Sequence, residues 1–101
     1  MASLVPLTAE EAKEKIRLIL DEGTVELSFH CRYESMPKRS VTMPDIIATL
    51  KSGEIRREPE WDDENGDWKY RVEGEDVEGD DLTAITLIIE TEMQLLIVTV
   101  F

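Results

Sequence analysis

The sequence predicts an α+β fold, in which two N-terminal helices pack on one face of an antiparallel sheet of about four or five strands. Three observations support this. The first half of the chain has two runs of apolar residues at helical spacing, and each run begins with helix-capping residues. The second half has segments that alternate apolar and polar residues or are apolar throughout. Turn residues separate these segments, as expected for antiparallel strands.

The first predicted helix covers about residues 9–22. Thr8 and Glu11 stand at the two positions of a capping box, and the apolar residues that follow recur on one face. Gly23 is the residue type expected just after the end of a helix. A short strand is predicted next, over residues 24–29, because apolar and polar side chains alternate there.

The second predicted helix covers about residues 43–51. Thr42 is its N-cap, and Gly53 follows its end. Between the first strand and this helix, residues 30–36 have the composition of one or two helical turns. Pro37 is expected to break that run, because proline restricts the residue before it.

Four strands are predicted after the second helix, over residues 54–61, 68–72, 82–90 and 94–101. Asn65-Gly66 is a strong hairpin signal between the first two strands. Trp61 and Trp68 flank this turn and are expected to face each other across it. The last two strands are strongly apolar and few residues separate them, which predicts a tight antiparallel hairpin.

The overall composition limits the class of protein. A chain of 101 residues with 42% hydrophobic residues predicts one domain over residues 1–101, with residues 1–7 as a loose N-terminal arm. No apolar run is long enough to cross a bilayer, and the start of the chain has no signal-peptide pattern. We therefore expect a cytoplasmic protein. Its single Cys cannot form an internal disulfide, which fits a reducing compartment.

The formal net charge is −12, and it is distributed unevenly. Residues 1–50 carry six Lys/Arg against eight Asp/Glu, whereas residues 51–101 carry five against fifteen. An acidic surface repels phosphate backbones, and binding by counterion release needs Lys or Arg. Charge alone therefore argues against RNA as a partner. It fits a plain acidic surface, and among the partners it favours a basic protein or a homodimer.

The sequence predicts no metal site and no cofactor. If Gly66 is placed at the glycine position of a calcium-binding EF-hand loop, Trp61 and Val72 fall where acidic ligands are required. A zinc site needs three or four good ligands, and the chain has one His and one Cys. Cys31 is expected in the core, because free cysteine is among the most buried residue types.

His30 is the one histidine, and it stands at the end of the first strand near three cations, Arg32, Lys38 and Arg39. An imidazole beside cations is suited to proton transfer next to a bound anion. The alternative is a surface or capping histidine without a catalytic role.

Tyr70 and Arg71 form a second candidate pair. Neighbouring residues of a strand point to opposite faces, so one of the two faces the helices and the other faces the open side of the sheet. An arginine on the open side can bind a phosphate or a carboxylate with two hydrogen bonds. The alternative is cross-strand pairing of Arg71 with a nearby acidic residue.

The stretch SFHCRYESMPKRSVTMPDIIATLKSGEI resembles the opening of a family of small bacterial domains of unknown function. That family has the pattern S-x-H-a-x-x-R-M-x-x-R-x-I-x-x-x-D-V-x-x-x-L-x-x-G-x-I. The matching residues are Ser28, His30, Met36, Arg39, Asp45, Ile46, Leu50, Gly53 and Ile55. The later stretch beginning WKYRVEGEDVEG is similar to the family's YRV-x-G-x-D-x-x-G strand, which a closing hairpin follows. The similarity covers about residues 9–101.

These domains in turn resemble toxins of the MqsR and RelE type, which are small mRNA-cleaving members of toxin–antitoxin pairs with helices first and an antiparallel sheet after them. The resemblance implies metal-free RNA cleavage, in which a ribose 2′-OH attacks the adjacent phosphate. It implies that His30 is the acid or base and that Arg39 and Arg71 hold the phosphate. The implied catalytic residues are His30, Arg39, Tyr70 and Arg71, and the implied substrate-binding residues are Lys38 and Arg32.

Three hypotheses therefore remain open. The first is a ribonuclease-like domain. The second is a non-catalytic module whose acidic face binds a basic partner protein. The third is an acidic homodimer joined through an exposed edge of the last strand, which ends at Phe101. A cleft that gathers the four implied catalytic residues would favour the first hypothesis. Wide separation of the four, or burial of Arg71 in ion pairs, would contradict it.

Overall fold

The computed structural model describes residues 5–101, and within them three α-helices and a five-stranded sheet form an α+β fold. The elements in chain order are α1 (Ala9–Glu22), β1 (Thr24–Leu27), a π-helix (Cys31–Ser35), α2 (Met36–Arg39), α3 (Met43–Ser52), β2 (Glu60–Asp62), β3 (Asp67–Glu75), β4 (Asp81–Ile89), a 3₁₀ turn (Glu90–Glu92) and β5 (Gln94–Val100). The arm predicted over residues 1–7 lies mostly outside the described residues.

The sheet is mixed, which corrects the predicted antiparallel sheet. Its strand order is β1-β5-β4-β3-β2. The pairs β2–β3, β3–β4 and β4–β5 are antiparallel, whereas β1 runs parallel to β5, with Thr24 opposite Gln94. A parallel pair needs a long crossover connection, and the chain between β1 and β5 supplies one. Side-chain alternation shows where a strand lies and not its direction, so the sequence did not reveal this pair.

The position of β5 also removes one surface predicted for a homodimer. The last strand was expected to expose an edge, but β5 lies between β1 and β4 in the sheet. Beyond the end of β1, the hydroxyls of Ser28 and Ser35 contact the second half of β5, at Val98 and Val100 respectively. A second copy therefore has no free β5 edge to pair with.

The segment after β1 differs from the prediction at Pro37. This proline was expected to break the helical run, yet α2 follows the π-helix directly and Pro37 lies in its first turn. Proline is tolerated there because the N–H that it lacks has no partner within that turn. The run ends at Ser40, which adopts a left-handed conformation with φ 55°. Lys38 and Arg39 therefore lie on a helix and not in a break.

The two longer helices begin at the predicted caps. The hydroxyl of Thr8 accepts the N–H of Glu11, and the Glu11 carboxylate accepts the N–H of Thr8. Thr42 and Asp45 form the same kind of capping box at the start of α3. These reciprocal bonds satisfy N–H groups that a helix start otherwise leaves without partners. The boundaries of α1 agree with the prediction, and α3 ends one residue later than predicted.

The core forms where α1 and α3 meet one face of the sheet. Ile16 of α1 and Ile46 of α3 belong to one hydrophobic cluster with Val72 of β3 and Ile97 of β5. All four side chains are at most 2% exposed. We call the side of the sheet that carries Val72 the core face, and the opposite side the open face.

The hairpin at Asn65-Gly66 forms as predicted. Trp61 of β2 pairs with Trp68 of β3, and their ring centroids lie 5.3 Å apart in an edge-to-face arrangement. The strand predicted over residues 54–61 is much shorter, since only Glu54 and the three residues of β2 pair with β3. Between these pairings, residues 55–59 lie beside the shorter stretch 70–72 of β3. The segment 55–59 therefore bows away from the strand edge.

Candidate functional site

His30 lies directly before the π-helix and pairs with Glu34. The distance from His30 Nδ1 to Glu34 Oε2 is 2.6 Å, and the two side chains are 55% and 65% exposed. A carboxylate on Nδ1 fixes the orientation of the ring and selects the tautomer that presents Nε2 to its surroundings. An oriented and exposed imidazole of this kind can transfer a proton to or from a bound ligand.

Two aromatic rings stand beside this pair. Phe29 and Tyr33 lie 4.7 Å apart between ring centroids, and they are 76% and 62% exposed. Tyr33 lies in the π-helix and Phe29 lies two residues before it; such a helix is rare and is frequent at functional sites. Two exposed aromatic rings beside this histidine offer a surface on which an unstacked nucleobase can stack.

Cys31 is fully buried and belongs to the core cluster, which confirms the prediction that it is a core residue. Burial raises the pKa of its thiol. A thiol held protonated and away from solvent is a poor nucleophile. His30 and Cys31 therefore do not form a catalytic pair.

The predicted cations of this region lie on the surface of the π-helix and α2. Arg32, Lys38 and Arg39 are all exposed. Arg39 Nη2 donates a hydrogen bond of 3.1 Å to the carbonyl oxygen of Asp81, at the start of β4. Within residues 5–101, none of the three cations forms an ion pair with an acidic side chain. Their charges remain available to a ligand.

Tyr70 and Arg71 lie on opposite faces of the sheet. Tyr70 points to the core face, is 4% exposed, and its hydroxyl accepts the backbone N–H of Leu7 at 2.8 Å. Burial raises the pKa of its phenol. Arg71 points to the open face, opposite Ile85 of β4. The structure therefore does not bring the four implied catalytic residues into one cleft, and their roles stay predictions.

Arg71 lies in a depression of about 200 Å³ in the open face, which we call the open-face depression. Its walls are formed by Arg57, Glu58, Glu60, Lys69, Arg71, Ile85, Val98 and Thr99. The guanidinium carbon of Arg71 lies 5.0 Å from the centroid of the Phe101 ring. Arg71 forms an ion pair with Glu73: its Nε lies 3.8 Å from Glu73 Oε2, too far for a hydrogen bond. The predicted alternative, pairing of Arg71 with a nearby acidic residue, is therefore present, although Glu73 lies on the same strand and not across from it.

The Nε–H of Arg71 is buried and has no hydrogen-bond partner within the described residues. A buried donor without a partner costs free energy, which an acceptor from a ligand would recover. Arg71 thus keeps an unsatisfied donor beside its ion pair with Glu73.

Sequence reasoning missed Arg57 and Lys69. Lys69 had a signal, because it lies two residues before Arg71 on the same strand and so shares its face. Arg57 had none, because its position depends on how residues 55–59 bow away from β3.

No metal site is evident in the part of the chain that the structure describes: no group of three or more His, Cys, Asp or Glu side chains is arranged to hold an ion. In the acidic turn, Asp62 accepts hydrogen bonds from the Asn65 side chain and from the backbone of Glu64 and Asn65. The Asn65 side-chain bond, with the backbone bonds, holds the pKa of the Asp62 carboxyl below its usual value. None of the described helices has both the length and the hydropathy of a membrane span.

Comparisons with curated proteins and with solved structures gave no match. A family model, by contrast, matches residues 27–101, from the end of β1 to the end of the chain. This range contains His30, Arg39, Tyr70 and Arg71, and it also contains every residue that lines the open-face depression. Since the match covers more than half of the sequence, the chain belongs to the family described as Domain of unknown function (DUF4258).

Proposed function

We propose that the chain binds single-stranded RNA on the open face of its sheet and cleaves it without a metal ion, as toxins of the MqsR and RelE type do. The observation that carries the proposal is the meeting of Arg57, Lys69 and Arg71 in one depression. Cations that converge on one site are the usual means by which proteins bind phosphate.

The distribution of charged residues supports this site in spite of the negative net charge of the chain. Residues 51–101 hold only five Lys/Arg against fifteen acids, yet three of those five line the open-face depression. Two acids, Glu58 and Glu60, also line it, so the cations outnumber the acids among the lining residues. Glu73 is not among the lining residues, but it is ion-paired with Arg71. Local potential, and not net charge, decides where an anion binds at close range.

An aromatic ring beside the depression fits the same ligand. Phe101 is 45% exposed and packs against the guanidinium of Arg71. Proteins that bind single-stranded RNA stack its bases on aromatic rings while cations hold its backbone. Phe101 and Arg71 together provide both contacts.

His30 is the proposed acid or base of the cleavage step. The 2′-oxygen of the ribose bonds to phosphorus as the bond from phosphorus to the 5′-oxygen breaks; a base takes the 2′-proton, and the 5′-oxygen gains a proton. Ser28, two residues before His30, donates a hydrogen bond to Val98, which lines the depression. This bond fixes the backbone two residues before His30 to β5, which supports the proposal that the imidazole reaches a bound RNA from there. Tyr70, on the other face, has no part in this step.

Binding of a mixed-sequence single-stranded RNA at low salt tests the phosphate site. Arg71→Gln and Lys69→Gln are expected to weaken binding about tenfold each and to reduce its salt dependence by about one phosphate contact. Arg17→Gln, on the exposed surface of α1, removes the same charge elsewhere and is expected to leave binding unchanged. Equal weakening by all three variants would mean a diffuse charge effect and no site.

Cleavage of the same RNA tests the role of His30. Cleavage by the native chain that His30→Ala loses, with RNA affinity retained, would assign the proton transfer to His30. Binding without cleavage would leave an RNA-binding module. No binding at all would refute the proposal.

A second candidate function is the binding of a basic partner protein. It is favoured by a depression of about 390 Å³ whose lining includes Glu54, Glu73, Glu75 and Asp81, with Arg56 as its one cation. A lysine-rich peptide is the probe. If this function holds, Glu75→Gln weakens binding of the peptide, whereas Glu14→Gln on α1 does not.

A further inference from the structure

A second depression, of about 400 Å³, lies on the other side of residues 55–59. It is lined by Pro6, Leu7, Thr8, Ala9, Ile55, Arg56, Arg57, Glu58, Pro59 and Tyr70. We call it the rim depression, because it meets the sheet at the edge of β3. Arg57 lines both this depression and the open-face depression, so a single side chain joins the two.

The lining of the rim depression is cationic, although one of its two arginines, Arg56, also lines the acidic depression of Glu54, Glu73, Glu75 and Asp81. Arg56 and Arg57 are exposed, and neither forms an ion pair within residues 5–101, although the chain holds 23 acids. One acid, Glu58, is among the residues that line it. Four of the five cations of residues 51–101 therefore line the two depressions, and Lys51 is the exception.

One further group in the rim depression, the Tyr70 hydroxyl, suits an anion. The hydroxyl of Tyr70 accepts the N–H of Leu7, and its own proton has no acceptor in the part of the chain described. The N-terminus of α1 adds no clear attraction, because Glu10 and Glu11 lie in its first turn and the Glu11 carboxylate already accepts the N–H of Thr8.

We propose that the rim depression is a phosphate subsite, bound by Arg56 and Arg57 with the Tyr70 hydroxyl as a hydrogen-bond donor. The phosphate has two possible sources. One is the next phosphate of an RNA strand that passes around the edge of β3, and this source rests on the proposed function. The other is a free phosphate group. In either case Tyr70 acts in binding, at a separate place from His30.

Nuclear magnetic resonance of the full ¹⁵N-labelled chain tests this subsite. The Leu7 amide is a direct reporter, because it donates to the Tyr70 hydroxyl. Titration with inorganic phosphate, and separately with a short single-stranded RNA, is expected to shift the Leu7 and Ala9 resonances saturably with at least one of the two. Arg56→Gln is expected to weaken that binding severalfold, and Arg17→Gln to leave it unchanged. Tyr70→Phe is expected to weaken it too.

The phosphate and RNA titrations together separate this inference from the proposed function. In both titrations the Leu7 amide reports on the rim depression, and the Thr99 amide reports on the open-face depression. A shift of Thr99 by RNA, with Leu7 unmoved by either probe, keeps the proposed function and overturns the rim subsite. A shift of Leu7 by phosphate, with neither amide moved by RNA, refutes RNA binding and keeps the rim as a site for a free phosphate. Shifts of Leu7 that persist at equal affinity in Arg56→Gln overturn the subsite as proposed, because Arg56 would then take no part in the binding.

Discussion

The side-chain hydroxyl of Ser28 donates a hydrogen bond of 2.7 Å to the carbonyl oxygen of Val98. The pairing register between β4 and β5 shifts at this point, which makes Val98 the extra residue of a β-bulge. The same hydroxyl accepts the backbone N–H of Cys31 at 3.0 Å. Ser28 thus joins the start of the π-helix, and with it His30, to the strand that lines the open-face depression.

We expect Ser28→Ala to lower the free energy of unfolding by about 1–2 kcal/mol, because it removes a partner from two partly buried backbone groups. Urea unfolding measures this change. The variant is also expected to slow any RNA cleavage while leaving RNA affinity unchanged, since His30 loses its anchor and the arginines do not. Thr91→Ala, at an exposed position in the 3₁₀ turn, is the control and is expected to cost less than about 0.5 kcal/mol. Equal stability of the two variants would contradict an anchoring role for Ser28.

Asp45 ties the start of α3 to the loop between β3 and β4. Its carboxylate accepts the N–H and the hydroxyl of Thr42, each at 2.9 Å, and the backbone N–H of Val77 at 3.2 Å. The Thr42 backbone bond, followed by the Val77 bond, holds the pKa of the Asp45 carboxyl below its ordinary value of 3.8. A lowered pKa in the folded state means stability that is fully present above the unfolded pKa and is lost as the pH falls through the folded pKa.

Asp45→Asn is therefore expected to be less stable than the native chain at neutral pH, and the difference is expected to shrink below about pH 4. Chemical unfolding at several pH values measures both effects. Asp63→Asn, in the exposed hairpin turn, is the matched control. If the stability difference between Asp45→Asn and the native chain did not change with pH, the carboxylate charge would not be the source of the stability.

The sequence predicted the elements whose signals are local. The caps at Thr8 and Thr42 and the Asn65-Gly66 turn each depend on residues that are neighbours in the chain, so they were visible in it. The parallel pairing of β1 with β5 joins residues from opposite ends of the chain, and its direction leaves no trace in side-chain alternation. The π-helix was also invisible, because no residue pattern distinguishes it from a turn of α-helix.

The residues of the candidate site were predictable from the sequence only where they lie on a regular strand. Alternation along β3 correctly separated Tyr70 from Arg71, and it also placed Lys69 beside Arg71, although this was overlooked. The contribution of Arg57 depends on a segment with irregular pairing, for which the sequence gives only Pro59 as a warning. Arg57 lines both the open-face depression and the rim depression because of tertiary packing, and no local sequence pattern encodes such packing.

Gly74 lies where the end of α3 comes closest to β3. A Cβ atom at Gly74 would lie 2.5 Å from the carbonyl oxygen of Thr49 and 3.0 Å from the Cα of Gly53, which are both backbone atoms. Because the backbone cannot move aside without shifting α3, Gly74→Ala is expected to destabilise the chain by about 1–3 kcal/mol. Thermal unfolding measures the loss. Gly66→Asn is the comparison, since a Cβ there meets nothing within 4 Å and asparagine tolerates the φ of 64°. If Gly74→Ala proved as stable as Gly66→Asn, the contact between α3 and β3 would have to be loose enough to accept a methyl group.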